Sequence, residues 1–365
     1  MEKRKRSGRK SKFVFLLLAA ALIAATAFYF KDNITSMIGS ITKFLGGAAD
    51  EISYSGYADK NYAEVDGCLA IVSVRGIQVV DLTGEQTLND TFDMVSPAVK
   101  SNGEYGIAYD IGGKTAKVFT SDKVLYSRDG DTAIISANVN DEGYAAVCAR
   151  EEGYNGIVTV YNNAGQKILD WYSGEAYVMS ACLSGNSEIM AALCVAESGG
   201  RVVFIDVASG DEIGKYECEE VLIDMVFSGS SSADVISQSG IYTINEKGEL
   251  KKTYGFEGKY LRGYCLGTNG LHAVVLSSYS IGDDCTAITV KNGKEVGMAE
   301  GISSVMKISI SGSKFAVLTT SGVKIYSKYG NEKKSFEDLG EVQDILMMKN
   351  GHLIAAKVNY ASVLK

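Results

Sequence analysis

The sequence predicts an all-β fold: a β-propeller of about eight four-stranded blades, preceded by one N-terminal transmembrane helix. Three observations predict it. An eight-residue pattern recurs eight times, beginning at Lys60, Ser96, Ser136, Ser180, Asp224, Gly263, Lys307 and Asp344, at spacings of 36 to 44 residues. Self-similarity at a period of about 40 residues, carried by short strands and glycine turns, marks a propeller. One proline and 40 glycines in 365 residues suit strands joined by tight turns. Eighteen residues, Phe13 to Phe30, carry no charge and follow a basic tail.

The tail, residues 1–12, holds Lys3, Arg4, Lys5, Arg6, Arg9, Lys10 and Lys12. As a helix, residues 13–30 would span roughly 27 Å, about the hydrocarbon thickness of a bilayer. The basic cluster keeps the N-terminus in the cytoplasm, which places the remainder outside the cell membrane as a single-pass protein. A cleaved signal peptide competes, because Ala25-Thr26-Ala27 matches a small-x-small site. The apolar run continues through that site, which favours an uncleaved anchor. Residues 31–50 read as a juxtamembrane stalk, with Ile34, Met37, Ile38, Ile41 and Leu45 at helical spacing before the Gly46-Gly47 hinge. Residues 51–365 form the extracytoplasmic propeller.

Within each repeat the fourth position is apolar and the eighth is usually glycine, as at Gly67, Gly103, Gly143, Gly270 and Gly351. A strand ending in a tight turn explains both, since glycine accepts positive φ without steric cost. Apolar runs follow, such as Ala145 to Ala149 and His272 to Leu276, suited to strands covered on both faces. An alternating third strand comes next, as in Val202 to Asp206, and then a weaker fourth. No blade buries its faces alone, so the blades stack around an axis. The eighth copy runs out at Lys365 after two recognisable strands. The ring closes if Glu51 to Tyr57 supplies the missing outer strand; seven blades with an irregular end is the alternative.

Charge divides unevenly. The tail holds seven basic residues and one acidic; the rest holds 29 basic against 43 acidic, a net of −14. Such a domain repels nucleic acid and anionic wall polymers. The seven cysteines are odd in number and contain no CxxC. Cys148, Cys182 and Cys194 sit inside apolar strands, where cysteine acts as a small hydrophobe. Most read as free thiols, with a Cys182–Cys194 disulfide as the minor alternative.

Chemistry-bearing motifs are sparse. His272 and His352 both begin second-strand segments, at neighbouring repeat positions, and lack the further ligands of a zinc site. Asn138 to Gly143 has calcium-loop character, but Ala149 stands where the bidentate acid belongs. Neither a GxSxG elbow nor a P-loop occurs. No cofactor and no metal are expected. The positional signal is loop length: the connections between second and third strands lengthen in blades three, four and six, on the face they share with the blade-to-blade loops. The binding residues expected there are Arg150, Tyr154, Arg201, Tyr279, Asp283 and Asp284.

Two stretches, Gly153 to Gly165 and Tyr177 to Ser184, together with the basic tail and apolar segment, make the chain resemble a bacterial family termed domain of unknown function 5711. The turns Asp81-Leu-Thr-Gly-Glu85 and Asp206 to Glu212 look like those of YVTN and quinoprotein-like repeats. Trp171 is the only tryptophan, so the repeat-wide docking pattern of a quinone propeller is missing. The resemblance implies a membrane-anchored propeller and no activity, so it transfers no functional residues. The reading is a non-catalytic scaffold for a protein or cell-envelope component. A lactonase-like or glycan-acting hydrolase with a spatially assembled site is one alternative; an extracytoplasmic ligand sensor is another. Carboxylates with raised pKa at one channel mouth would favour the enzyme; a broad exposed apolar and aromatic patch would favour binding.

Overall fold

In a computed structural model, residues 51–365 are described, apart from 56, 58, 282, 283 and 338. The basic tail, the apolar segment and the stalk lie outside the described residues. Among the described residues, no helix is long and apolar enough to cross a membrane.

Eight four-stranded antiparallel sheets form the blades of a propeller, which excludes the seven-blade alternative. In each blade the repeat supplies the innermost strand, from Asn61–Val65 in blade one to Asp344–Met347 in blade eight. Burial peaks at the second strands and falls towards the outermost. Second strands such as Ala145–Ala149 and Leu271–Ser277 are buried at every residue. Outermost strands such as Leu250–Gly255 and Glu332–Glu337 are mostly exposed. Two covered faces leave no polar side for a second strand, which is why these segments read as continuous apolar runs. The largest apolar clusters lie between adjacent blades. One joins Val158 and Val160 of blade three to Val178 and Ala181 of blade four.

The turns between first and second strands follow the glycine pattern. Asp66 and Gly67, with φ of 50° and 72°, form a two-residue hairpin between Val65 and Cys68. Where the eighth position is not glycine, the turn is made in one of two other ways. Ser187 itself takes a φ of 59°, held by Asn140 Nδ2 donating to its Oγ at 2.8 Å. Blade seven shifts its left-handed residue to Gly312.

Blade eight closes the ring. Its three inner strands come from the C-terminus, Asp344–Met347, Leu353–Ala356 and Tyr360–Leu364, so the chain ends after three strands, one more than the sequence shows. The third strand escapes notice because no glycine turn follows it. The outermost strand is Glu51–Ser53, pairing Glu51 with Ser362 and Ser53 with Tyr360. This is the expected closing segment, shortened to three residues. Ile52 is fully buried in the seam. Next to it, the Tyr54 hydroxyl donates to the carbonyls of Lys357 and Tyr360 at 2.6 and 2.9 Å. On the inner side the Lys349 amide donates to both carboxylate oxygens of Glu64, at 3.0 and 2.9 Å. Burial raises the Glu64 pKa, partly offset by that amide.

None of the seven cysteines is joined in a disulfide. The Cys182–Cys194 pairing fails on geometry. The two lie on adjacent strands, but Cys194 packs into the cluster shared with blade three and Cys182 into the cluster shared with blade five. They therefore face opposite sides of one sheet. His272 is structural, as its repeat position implies. It is buried and its Nε2 lies 2.9 Å from Asp234 Oδ2, tying blade six to blade five. Burial pushes the Asp234 carboxyl up; His272, Thr243 and Ser228 more than offset this and hold it below the usual range.

Two predictions follow from these seams. Ile52→Ala should cost about 3 kcal/mol by opening a cavity at the closing strand. An unchanged urea midpoint would show that the ring does not depend on it. Asp234 has a lowered folded-state pKa, so its contribution is present above about pH 4 and is lost as pH falls through the folded value. Asp234→Asn should therefore cost about 2 kcal/mol at pH 7 and flatten the acid limb of stability against pH. Parallel acid limbs in the two proteins would refute this.

Candidate functional site

Two regions could carry function: the central channel, and the face bearing the second-to-third-strand and blade-to-blade loops.

The channel is lined by innermost strands and holds a cavity of about 630 Å³. Asp141, in its lining, accepts from Asn102 Nδ2 at 3.1 Å, and two further carboxylates at the innermost strands face lysines. Asp224 lies 3.9 Å from Lys100 of blade two, and Asp344 lies 2.9 Å from Lys307. Burial, then the neighbouring Asp224, pushes the Tyr264 hydroxyl up to about 12. Cys182 also lines the cavity, but burial pushes its thiol up to about 12, so it is a poor nucleophile near neutral pH. The carboxylate with a raised pKa, Glu64, is bound to the Lys349 backbone in the ring closure. Among the described residues, no group of three or more His, Cys, Asp or Glu could hold a metal ion.

The loop face differs in character. Tyr154 is half exposed and its ring lies 4.8 Å from that of Tyr172, forming an aromatic pair at the blade-three loop. Arg150 is exposed beside it. Arg201 is only 15% exposed, because its guanidinium bridges Glu175 at 2.9 Å and Glu217 at 2.6 Å. Its fork joins the blade-four loop to the connection from blade three, so its charge is met within the fold. In blade six, Tyr279 is 63% exposed. Arg262 holds this loop, donating to the carbonyls of Tyr279 and Ser280 at 2.9 and 2.7 Å. Asp284 is exposed and Asp283 lies outside the described residues. The structure thus brings Arg150, Tyr154 and Arg201 onto neighbouring blades, with Tyr279 and Asp284 two blades further on.

Sequence reasoning missed the apolar character of this face. Nineteen large hydrophobic residues are exposed among the described residues, and fourteen of them lie on its loops or at the strand ends that meet them. Ile168, Ile213, Leu250, Met298 and Tyr329 are the five elsewhere. Chance scatter of surface apolar residues would not favour one face so strongly. The missing signal was available, because Tyr177, Val221 and Tyr260 each sit three residues before a repeat copy.

Propellers from elsewhere share the architecture. The crystal structure of Saccharomyces cerevisiae Sqt1 matches with a TM-score of 0.61 at 11% identity, over 87% of this chain and 99% of that one. The C-terminal WD40 domain of Sif2 matches with a TM-score of 0.59 at 11% identity, over 86% and 97%. At such identities the likeness is one of fold alone. No curated protein matches the sequence. The profile of a family of unknown function, DUF5711, matches residues 49–363, and the chain belongs to that family.

Proposed function

We propose that this protein is a non-catalytic binding scaffold, held to the outer side of the cell membrane by residues 13–30, with its loop-rich face as the recognition surface. The observation that carries the reading is the concentration of exposed apolar and aromatic side chains on that face. Exposed apolar surface is costly in water and marks a surface that is covered in use. Rigid support suits this role, because the loops hang from blades whose second strands are buried at every residue. The WD40-like fold agrees with a protein partner. The anchor rests on the uncharged run after seven basic residues. Kinship with YVTN and quinoprotein-like repeats rests on the Asp81 turn, where Asp81 Oδ1 accepts from the Thr83 and Glu85 amides at 2.9 and 3.0 Å.

The channel gives the hydrolase alternative little support, since Asp224 and Asp344 each face a lysine. A scaffold places its partner on one face. A photocrosslinking amino acid at Tyr154 or Tyr279 of the full chain in native envelopes should therefore give a discrete adduct. The same probe at Ile168 or Ile213 should give none. Equal labelling from all four positions, or none from any, would remove the scaffold reading.

A further inference from the structure

The innermost strands share an irregularity with a consequence for recognition. In blades three to seven the pairing of first and second strands skips one residue on the innermost strand. The skipped residues are Ile135, Met179, Ile223, Arg262 and Met306. Each lies immediately before a repeat copy, so the bulge recurs at one place in five successive blades. A bulge leaves its residue unpaired and re-aims the side chain. Here it occurs at the strand end that meets the loop face, around the channel mouth. Met179, Ile223 and Met306 are 48%, 37% and 56% exposed. Val95 holds the same repeat position in blade two and is 85% exposed. The amides of Val95 and Ser96 donate to Asp110 Oδ1 at 3.0 and 2.7 Å, which fixes that turn. The result is a broken apolar annulus, exposed in blades two, four, five and seven; Ile135 of blade three packs against a buried cluster, Arg262 stands in blade six, and Asp59 and Gln343 hold the position in blades one and eight.

An acidic crown surrounds it. Seven of the eight connections leading into the innermost strands carry an exposed acidic residue: Asp59, Asp93, Asp131, Glu175, Glu219, Glu257 and Glu341. Arg75 pairs with Asp93 and Arg201 with Glu175. The other five form no ion pair among the described residues. Their field excludes two occupants. An anionic lipid surface would be repelled, and a second copy docking face to face would set one crown against another. It attracts cations, while the annulus demands apolar contact.

We infer that the annulus and crown together bind a polypeptide segment whose large apolar side chains enter the ring and whose flanking lysines or arginines meet the crown. The inference rests on the loop face being a binding surface and adds the position of the contact and the chemistry of the partner. Hot spots form where apolar anchors are ringed by groups that exclude water, and complementary charge sets register and association rate.

The test uses the full chain in phosphatidylcholine nanodiscs and three fluorescent helical peptides. One has an apolar stripe flanked by lysines, one the same stripe flanked by glutamates, and one the lysines with serines in place of the stripe. The first should bind about tenfold or more tighter than either other. Met179→Ser, Ile223→Ser and Met306→Ser together should weaken it about tenfold or more. If that variant fails to fold, Met306→Lys alone, at a half-exposed site, serves instead. Glu219→Lys, Glu257→Lys and Glu341→Lys together should transfer preference to the glutamate-flanked peptide. Binding that survives the ring variants but is lost in Tyr154→Ala/Tyr279→Ala would overturn the annulus and leave the face reading intact. Equal binding of all three peptides, or of none, overturns the proposal, and crosslinking from Tyr154 and Tyr279 then judges the face reading separately. Ring-dependent self-association in sedimentation, or capture by phosphatidylglycerol vesicles, would identify a different occupant and overturn it as well.

Discussion

A blade with two apolar faces cannot stand alone, and this constraint governs the rest of the molecule. Second strands such as Leu271–Ser277 have no polar side to turn to water. Each sheet must be covered by a neighbour on both sides, and only a closed ring gives every sheet two neighbours. Closure then falls to a three-residue strand from the opposite end of the chain, Glu51–Ser53, and to the grip of Glu64 on the Lys349 amide. Blade-to-blade hydrogen bonds repeat the grip around the axis. Asn138 Nδ2 donates to the Ala181 carbonyl at 2.7 Å, and the Met347 amide to Ser309 Oγ at 2.9 Å. His272 and Asp234 do the same further out. A buried polar pair is weak evidence of stability by itself. Here it sits at a blade junction, where it contributes to register.

The same closed geometry separates structural chemistry from available chemistry. Groups that would attract notice in sequence are consumed by the fold. Asp81 ties its own turn, Asn140 caps the turn before Tyr144, and Arg128 donates to the Lys114 carbonyl. The motifs resembling a quinoprotein turn and a calcium loop therefore both resolve into backbone hydrogen bonding. What stays unspent lies on the loop face, where side chains are held by rigid strands but have no partner above them.

The period, the turns and the closing segment were legible because each follows from a local rule. Glycine at Gly67 or Gly103 reports positive φ, and an unbroken apolar run reports two covered faces. The third strand of blade eight was not legible, because Tyr360–Leu364 lacks the glycine turn that ends its counterparts. At the candidate site the sequence singled out the lengthened loops and so named Tyr154 and Tyr279, both of which are exposed. It could not show that Glu175 and Glu217 both reach Arg201, since one is 26 and the other 16 residues away along the chain. The bulges were hidden for another reason. One extra residue in a strand leaves no compositional mark and appears only in the pairing of Val178 and Ser180 across Met179.

The exposed annulus is informative because the rest of the surface is guarded. The outermost strands are the edges where sheets of different molecules could join, and there the chain places charge. Glu332–Glu337 carries two lysines and two glutamates, and Leu250–Gly255 carries two lysines, all exposed. Charged edges of this kind suppress strand-to-strand aggregation. A chain that protects its edges yet leaves Val95, Met179 and Met306 open is not indifferent to solubility. The crown resolves the tension. Acidic residues around an apolar ring keep like copies apart through mutual repulsion while leaving the ring open to a segment of opposite charge. Solubility and selectivity then come from the same side chains, and the bulge that aims the apolar residues needs no lengthened loop to do it.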